Sequence, residues 1–179
     1  MPQRDLASVE EALALLVELG AVPHLVQHHR LVVEAATELC DGLSAVGLGR
    51  FDRTEVLVGA SLHDVGKTLH PAEMHGGGCE HEHDGHRLLL ENGVPERFAR
   101  HAWLHAAWTE QKELEPILVA LADKLWKGKR VAGLEERTAR LLADHSDQDF
   151  WRVWSEVDPV FEGVASTGDE RLLRSVNYG

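Results

Sequence analysis

Cysteine is almost absent from this chain. The two present, Cys40 and Cys79, are too few for a disulfide framework and exclude the small disulfide-stapled class. Basic residues are also scarce: 18 Lys and Arg stand against 30 Asp and Glu, a formal charge of −12. Such a balance argues against a nucleic-acid groove or an anionic membrane as partner, because either needs a net basic face. No apolar run reaches membrane-spanning length, and the N-terminus lacks the basic-then-apolar pattern of a secretion signal, so a cytoplasmic location is expected. Internal repeats, low-complexity tracts and convincing strand alternation are missing too, which leaves an all-α fold. At 179 residues there is room for one domain with a proper core, and residues 1–179 are read as that domain.

Histidine, by contrast, is plentiful. Of the 12 in the chain, His63, His70, His75, His81, His83, His86 and His101 fall within one stretch. That stretch opens on Ser61-Leu62-His63-Asp64-Val65-Gly66-Lys67, where an imidazole and a carboxylate stand side by side at the end of an apolar run. Upstream, Phe51 to Leu62 reads as a helix with Asp52 as N-cap, Glu55 at the third helical position and Val56, Leu57, Ala60 and Leu62 on an apolar face. His63 and Asp64 close that helix. Such a pair supplies only part of a metal shell, so further ligands must converge from other segments.

Helical spacing predicts where they lie. Asp5 to Leu19 is an amphipathic helix stopped by Gly20. In Leu25 to Leu39 the stripe Leu31, Val32, Ala35, Ala36 and Leu39 extends back one turn onto His28, with His29 about 100° round the helix. Residues 41 to 51, with three glycines, are read as a connection, and Thr68 to Cys79 as a loop able to pass close to a site. Helices follow at Glu80 to Asn92 and Glu96 to Thr109, where His101 and His105 form an i, i+4 pair. Ile117 to Trp126 is a buried helix after Pro116, and the Asp123 carboxylate within its apolar run requires a cation or a metal. The basic cluster Lys124, Lys127, Lys129 and Arg130 reads either as a solvated helix end or as a phosphate clamp. Leu134 to His145, Asp149 to Phe161 and Gly168 to Tyr178 complete the helices, with Trp151 and Trp154 expected to pack on the core.

The order His28, His63-Asp64, Asp123 resembles the HD-domain superfamily of metal-dependent phosphohydrolases over roughly residues 25 to 130. The resemblance rests on the HDVGK segment, on His28-x-x-x-Val32-x-x-x-Ala36 and on Leu121-Ala122-Asp123-Lys124. It implies an HD-type helical bundle with C-terminal helices at 134–178 packed on it, and one divalent ion held by His28, His63, Asp64 and Asp123. A subset of that superfamily holds a second metal. His81-Glu82-x-x-Gly85, and His105 following Gly93-Val94-Pro95, look like its two additional segments, which implies His81 and His105 as ligands with Asp64 as the bridge. His83, His86 and His101 are the rivals, and nothing comparable to the HD-GYP signature is present.

The expected activity is hydrolysis of a phosphate ester in a nucleotide or other small metabolite, using one or two ions of manganese, iron, nickel, magnesium or zinc. Asp64 and Lys67 carry the expected catalytic roles, with Lys67, Lys124 and Lys127 as substrate contacts. Selectivity is expected from the loop at 68 to 79 and from Trp103, Trp108 and Trp126. Two competing readings share the ligand set: a mixed-valent di-iron oxygenase and a non-catalytic metal-binding regulatory module.

Overall fold

The computed structural model describes residue 4 and residues 6–74 and 77–177. It consists of helices α1 (Val9–Glu18), α2 (Pro23–Ala45), α3 (Arg53–Leu62), α4 (Glu80–Glu91), α5 (Glu96–Ala99), α6 (His101–Leu104), α7 (Leu114–Leu125), α8 (Ala132–Ser146), α9 (Phe150–Ser166) and α10 (Gly168–Val176). Tight 3-10 turns stand at Val65–Thr68, Pro71–Met74 and Trp108–Glu110, and the described residues include no strand. None of these helices is long and apolar enough to cross a membrane.

Two apolar clusters meet on α3. Val56 and Ala60 join α2, α7, α8 and α9 in the larger one, while Val58 and Leu62 join α1, α4, α5 and α6 in the smaller. The helix is therefore covered on opposite sides, a placement its Val, Ala and Leu content suits. Asp52 caps its start by accepting from the Glu55 amide at 3.0 Å. Cys40 is buried and Cys79 exposed, both as free thiols. Burial pushes the Cys40 thiol up to about 12, so it behaves as an inert core side chain.

Several boundaries differ from the sequence expectation for physical reasons. α1 begins at Val9, not Asp5, because Ser8 and Glu11 form a reciprocal capping box there; Asp5 lies outside the described residues. Part of the expected connection at 41 to 51 is helical, since α2 runs on to Ala45 through Gly42. A Cβ on Gly42 would stand 2.5 Å from Val160 Cγ1, so that glycine serves close packing of α9 instead of breaking α2. The segment Glu96 to Thr109 resolves into α5, α6 and a 3-10 turn. Trp154 packs against the larger core cluster as expected, whereas Trp151 is 72% exposed. The end of the last expected helix, Tyr178, lies outside the described residues.

The last helix is held by a buried cation. Arg171 is fully buried on α10 and donates to Glu34 Oε1 at 3.1 Å, to Glu38 on α2 and to the Val164 carbonyl at 2.8 Å. Arg174 adds a pair to Glu34 at 2.6 Å. Both glutamates are more than a third exposed and re-solvate when released, so the main cost of losing Arg171 is an orphaned Val164 carbonyl and weaker docking of α10. Arg171→Met is expected to lower stability by about 1–3 kcal/mol, read as a fall in the urea midpoint with unchanged slope. An unchanged midpoint would show that α10 is held by packing alone.

Candidate metal centre

Seven of the eight residues from Glu55 to Leu62 are buried, so the end of α3 carries its next two side chains into the interior. His63 and Asp64 are 0% and 3% exposed. The two oxygens of Asp64 face different imidazoles. Oδ2 lies 3.2 Å from His28 Nε2 and 3.6 Å from His63 Nε2, and Oδ1 lies 3.2 Å from His81 Nε2 and 3.5 Å from His105 Nε2. Asp123 Oδ1 approaches the first pair, at 3.5 Å from His63 Nε2 and 3.9 Å from His28 Nε2. His28, His63 and Asp64 thus form one group able to hold a metal, and Asp64, His81 and His105 form another.

Hydrogen bonds orient these rings. His63 Nδ1 lies 2.9 Å from the Ala60 carbonyl, His105 Nδ1 lies 3.0 Å from the His101 carbonyl, and His81 Nδ1 meets the Glu73 carboxylate. Each partner accepts only, so the proton sits on Nδ1 and the Nε2 lone pair is left for a Lewis acid. Nε2 of His28 and of His63 is buried without a hydrogen-bond partner. Unsatisfied buried nitrogens beside buried carboxylates are costly in a protein interior. A divalent cation satisfies both, and this donor set of imidazole and carboxylate fits one.

Charge distribution follows the same geometry. Burial alone would raise Asp64, but the surrounding His63, His28, His81 and His105 imidazoles hold its carboxyl well below the usual range. Asp123 is depressed in the same way, against burial, by His63 and the Lys124 charge. Burial pushes His105 down to about 4 and lowers His28, whereas at His63 the neighbouring carboxylates outweigh burial and raise the ring. Glu82 is the exception among the cleft carboxyls, raised by burial.

Above this group opens a cleft of about 390 Å³, lined by His28, Asp64, His81, His105 and Asp123 and by Lys67, Lys124 and Lys127. All three expected substrate lysines are there. Lys67 Nζ stands 2.5 Å from Asp64 Oδ2 and Lys124 Nζ 2.6 Å from Asp123 Oδ2, so two of these cations lie on the carboxylates themselves. Trp108 lines the cleft, while Trp103 stacks on His83 at 6.0 Å.

Two glycines place His81. A Cβ on Gly66 would lie 1.8 Å from the His81 carbonyl oxygen, and one on Gly85 would lie 2.9 Å from the Gly66 amide nitrogen. Backbone therefore rests on backbone where α4 crosses the turn after Asp64, and no other residue fits. Gly66→Ala is expected to cost about 1–3 kcal/mol by overpacking and to weaken metal uptake at the Asp64, His81 and His105 group, both measurable by thermal unfolding and metal titration. Wild-type values in both would mean that the contact relaxes freely.

The remaining histidines sort cleanly. His101 is fully buried, but its Nε2 lies 3.2 Å from Glu55 Oε1, so the i, i+4 pair with His105 does not converge. His86 pairs with Glu96 at 2.9 Å and His70 with Asp84 at 2.7 Å; His75 lies outside the described residues. Arg130 binds Glu135, Asp158 and Glu162, an ion cluster away from the cleft lining. Two participants escaped sequence reasoning. His29, expected off the core stripe, is fully buried with Nδ1 3.1 Å from the same Ala60 carbonyl that His63 meets. Glu73, in the loop, buttresses His81 with no spacing signal to announce it.

Glu55 ties α3 to α6 through Arg100 at 2.6 Å and through His101. Burial raises its carboxyl, but hydrogen bonds from His101 and Arg100 and their charges outweigh that and leave it below the usual range. With a folded pKa below the unfolded value of about 4.3, its contribution is complete above that value and disappears as pH falls through the folded one. Glu55→Gln is expected to flatten the acid limb of stability against pH, followed as the urea midpoint from about pH 6 down to about pH 3. Parallel curves for the two proteins would remove Glu55 from the acid response.

Buried imidazoles and carboxylates grouped at the end of a central helix give this helical fold side-chain groups able to hold a metal. The family model described as the HD domain matches residues 25–126, more than half of the chain. The chain belongs to the HD-domain family, the superfamily of metal-dependent phosphohydrolases that its motifs resemble. Among solved structures, the HD domain of the L. monocytogenes phosphodiesterase PgpH, in complex with cyclic-di-AMP, matches with a TM-score of 0.53. That match covers 95% of this chain and 99% of the other at 17% identity, a likeness of fold. No curated protein matches the sequence.

Proposed function

We propose that this protein is a metal-dependent phosphohydrolase acting on a phosphate ester of a nucleotide or another small phosphorylated metabolite. In this reading His28, His63, Asp64 and Asp123 hold one divalent ion, and Asp64, His81 and His105 hold a second. The observation that carries it is the division of Asp64, whose two carboxylate oxygens each face a separate pair of imidazoles. Further support comes from the lysines beside the carboxylates and from the cyclic dinucleotide bound by a protein of the same fold.

When bound, divalent ions polarise phosphoryl oxygens and lower the pKa of a water molecule so that it attacks near neutral pH. The chain supplies the rest. Hydrogen bonds from Nδ1 fix the rings of His63, His81 and His105 so that no reorganisation is needed on binding. Lys67, Lys124 and Lys127 offer ammonium groups to the non-bridging oxygens of a phosphate in the cleft. Lys67 is the first of these because it stands beside the shared carboxylate.

Elemental analysis of protein purified without chelators tests the ligand assignment. Wild type is expected to carry about two divalent ions per chain, His105→Ala about one and Asp64→Ala essentially none. Equal metal content in wild type and Asp64→Ala would sink the assignment. Metal-loaded wild type should release phosphate from a panel of small esters; about two irons with a mixed-valent paramagnetic signal and no hydrolysis would favour the oxygenase reading instead.

A further inference from the structure

The rings of the metal centre differ in where the partner of Nδ1 comes from. His63 and His105 face the carbonyls of Ala60 and His101, three and four residues back along their own helical turns, so those restraints move with the ring. His81 instead faces a carboxylate, Glu73, which lies outside α4 in the Pro71–Met74 turn. A hydrogen bond from an imidazole N–H to an ionised acceptor is roughly twice as strong as one to a neutral carbonyl. Of these three restraints it is therefore the strongest, and it is the one supplied by another segment of chain.

More than that ring holds Glu73 where it stands. Its Oε1 accepts from the Glu80 amide at 3.3 Å and its Oε2 from the His81 amide at 3.4 Å. These amides open α4, whose N-cap Cys79 makes no side-chain bond to them. The Glu73 side chain is 11% exposed, although Pro71, Ala72, Gly77 and Gly78 around it are exposed. Gly78 makes room for it, since a Cβ there would stand 2.4 Å from Glu73 Cδ. Glu73 and Gly78 line the metal cleft, and Met74 lines a smaller cavity of about 200 Å³ beside it. One carboxylate thus fastens a wall of both spaces to the helix that carries His81. A second tie, His70 Nε2 to Asp84 Oδ2 at 2.7 Å, joins the same segments without touching His81.

We propose that Glu73 is a positioning residue for the second ion, which makes His81 a stronger ligand and transmits the occupancy of that ion to the chain segment before α4. The proposal rests on the two-ion reading above. A carboxylate on Nδ1–H fixes the ring plane and raises the electron density at Nε2, which faces Asp64 Oδ1 at 3.2 Å. In return, a cation at Nε2 makes Nδ1–H a better donor and tightens the grip of Glu73 on α4. Linkage makes the two effects equal: the factor by which Glu73 strengthens ion binding is the factor by which the ion strengthens the hold of Glu73. His63, on the other side of Asp64, has its Nδ1 on a carbonyl of α3 and gives the first ion no such connection.

Zinc titration of the metal-free full chain against a chromophoric chelator measures the two ions in turn. Glu73→Ala is expected to weaken the second ion about 10–100-fold, while the first changes less than about twofold. Glu73→Gln, which keeps the volume and an acceptor but not the charge, should weaken the second about three- to tenfold. Asp84→Asn cuts the other tie and leaves Glu73 in place, so it should change the second ion by less than about twofold. Residue-resolved amide hydrogen exchange gives the reciprocal reading. In wild type the second zinc should slow exchange of the Glu80 and His81 amides by a factor similar to the affinity lost in Glu73→Ala. His105→Ala, expected to take only the first ion, should show no such slowing. Wild-type affinity for the second ion in both Glu73 variants, equal weakening of both ions, a loss in Asp84→Asn as large as in Glu73→Gln, or exchange indifferent to the second zinc would overturn the proposal. Wild type that takes up a single zinc would refute the two-ion reading, and the proposal with it.

Discussion

The Asp64 carboxylate is the constraint around which this molecule is arranged. A buried carboxylate is tolerated only when positive charge or several donors surround it. Here the Lys67 ammonium stands beside it and four imidazoles face it, drawn from α2, from the end of α3, from α4 and from the turn after α6, in an arrangement that a divalent cation would complete. Because each ring approaches from a different element, the helices hold their relative positions partly through this one group. The electrostatics agree, with both Asp64 and Asp123 kept ionised in a place where burial alone would protonate them.

What makes that arrangement possible is an apolar helix with no free face. α3 contributes residues to both hydrophobic clusters, so its axis runs between them and its last turn ends inside the protein. The chain must then turn without bulk, and Gly66 lets the backbone of α4 rest on it at Gly85. His81, whose carbonyl lies in that contact, and His105 both reach Asp64 Oδ1. Stability and site geometry are therefore the same problem over this stretch, which is why a single methyl group at Gly66 bears on both.

The C-terminal helices have a double relation to the centre. α8 and α9 complete the larger apolar cluster, and Arg171 locks α10 onto α2 through Glu34, Glu38 and the Val164 carbonyl. α2 also carries His28, so the anchoring of α10 brings Ser175 to the cavity beside the metal cleft. The grouped imidazoles and carboxylates lie within residues 25–126, the part matched by the family model, while the neighbouring cavity also draws on His24, Lys127 and Ser175 outside it.

Helix content, the helix carrying His63 and Asp64, and the grouping of His28, His81, His105 and Asp123 around that pair were legible in the sequence. Helix content and the His63-Asp64 helix follow from local periodicity and caps, whereas the choice of His81 and His105 over His83, His86 and His101 follows from the resemblance to the family. The pattern was less informative where long-range packing decides. Gly42 looked like a break in α2, and only the close approach of Val160 shows why it is helical. His29 looked peripheral, yet α3 covers that side of α2 and buries it against the Ala60 carbonyl. Trp151 looked like core and is exposed, because α9 buries Val153, Val157 and Phe161 instead. Glu73 reaches His81 through two successive 3-10 turns, whose path no helical spacing predicts. The sequence by itself determined the all-helical class and offered the imidazoles and carboxylates of the centre, since helices follow from local spacing and the motifs carry a resemblance to the family. Tertiary structure alone decided which oxygen of Asp64 faces which imidazole and which residues close the neighbouring cavity, because those contacts join segments far apart in the chain.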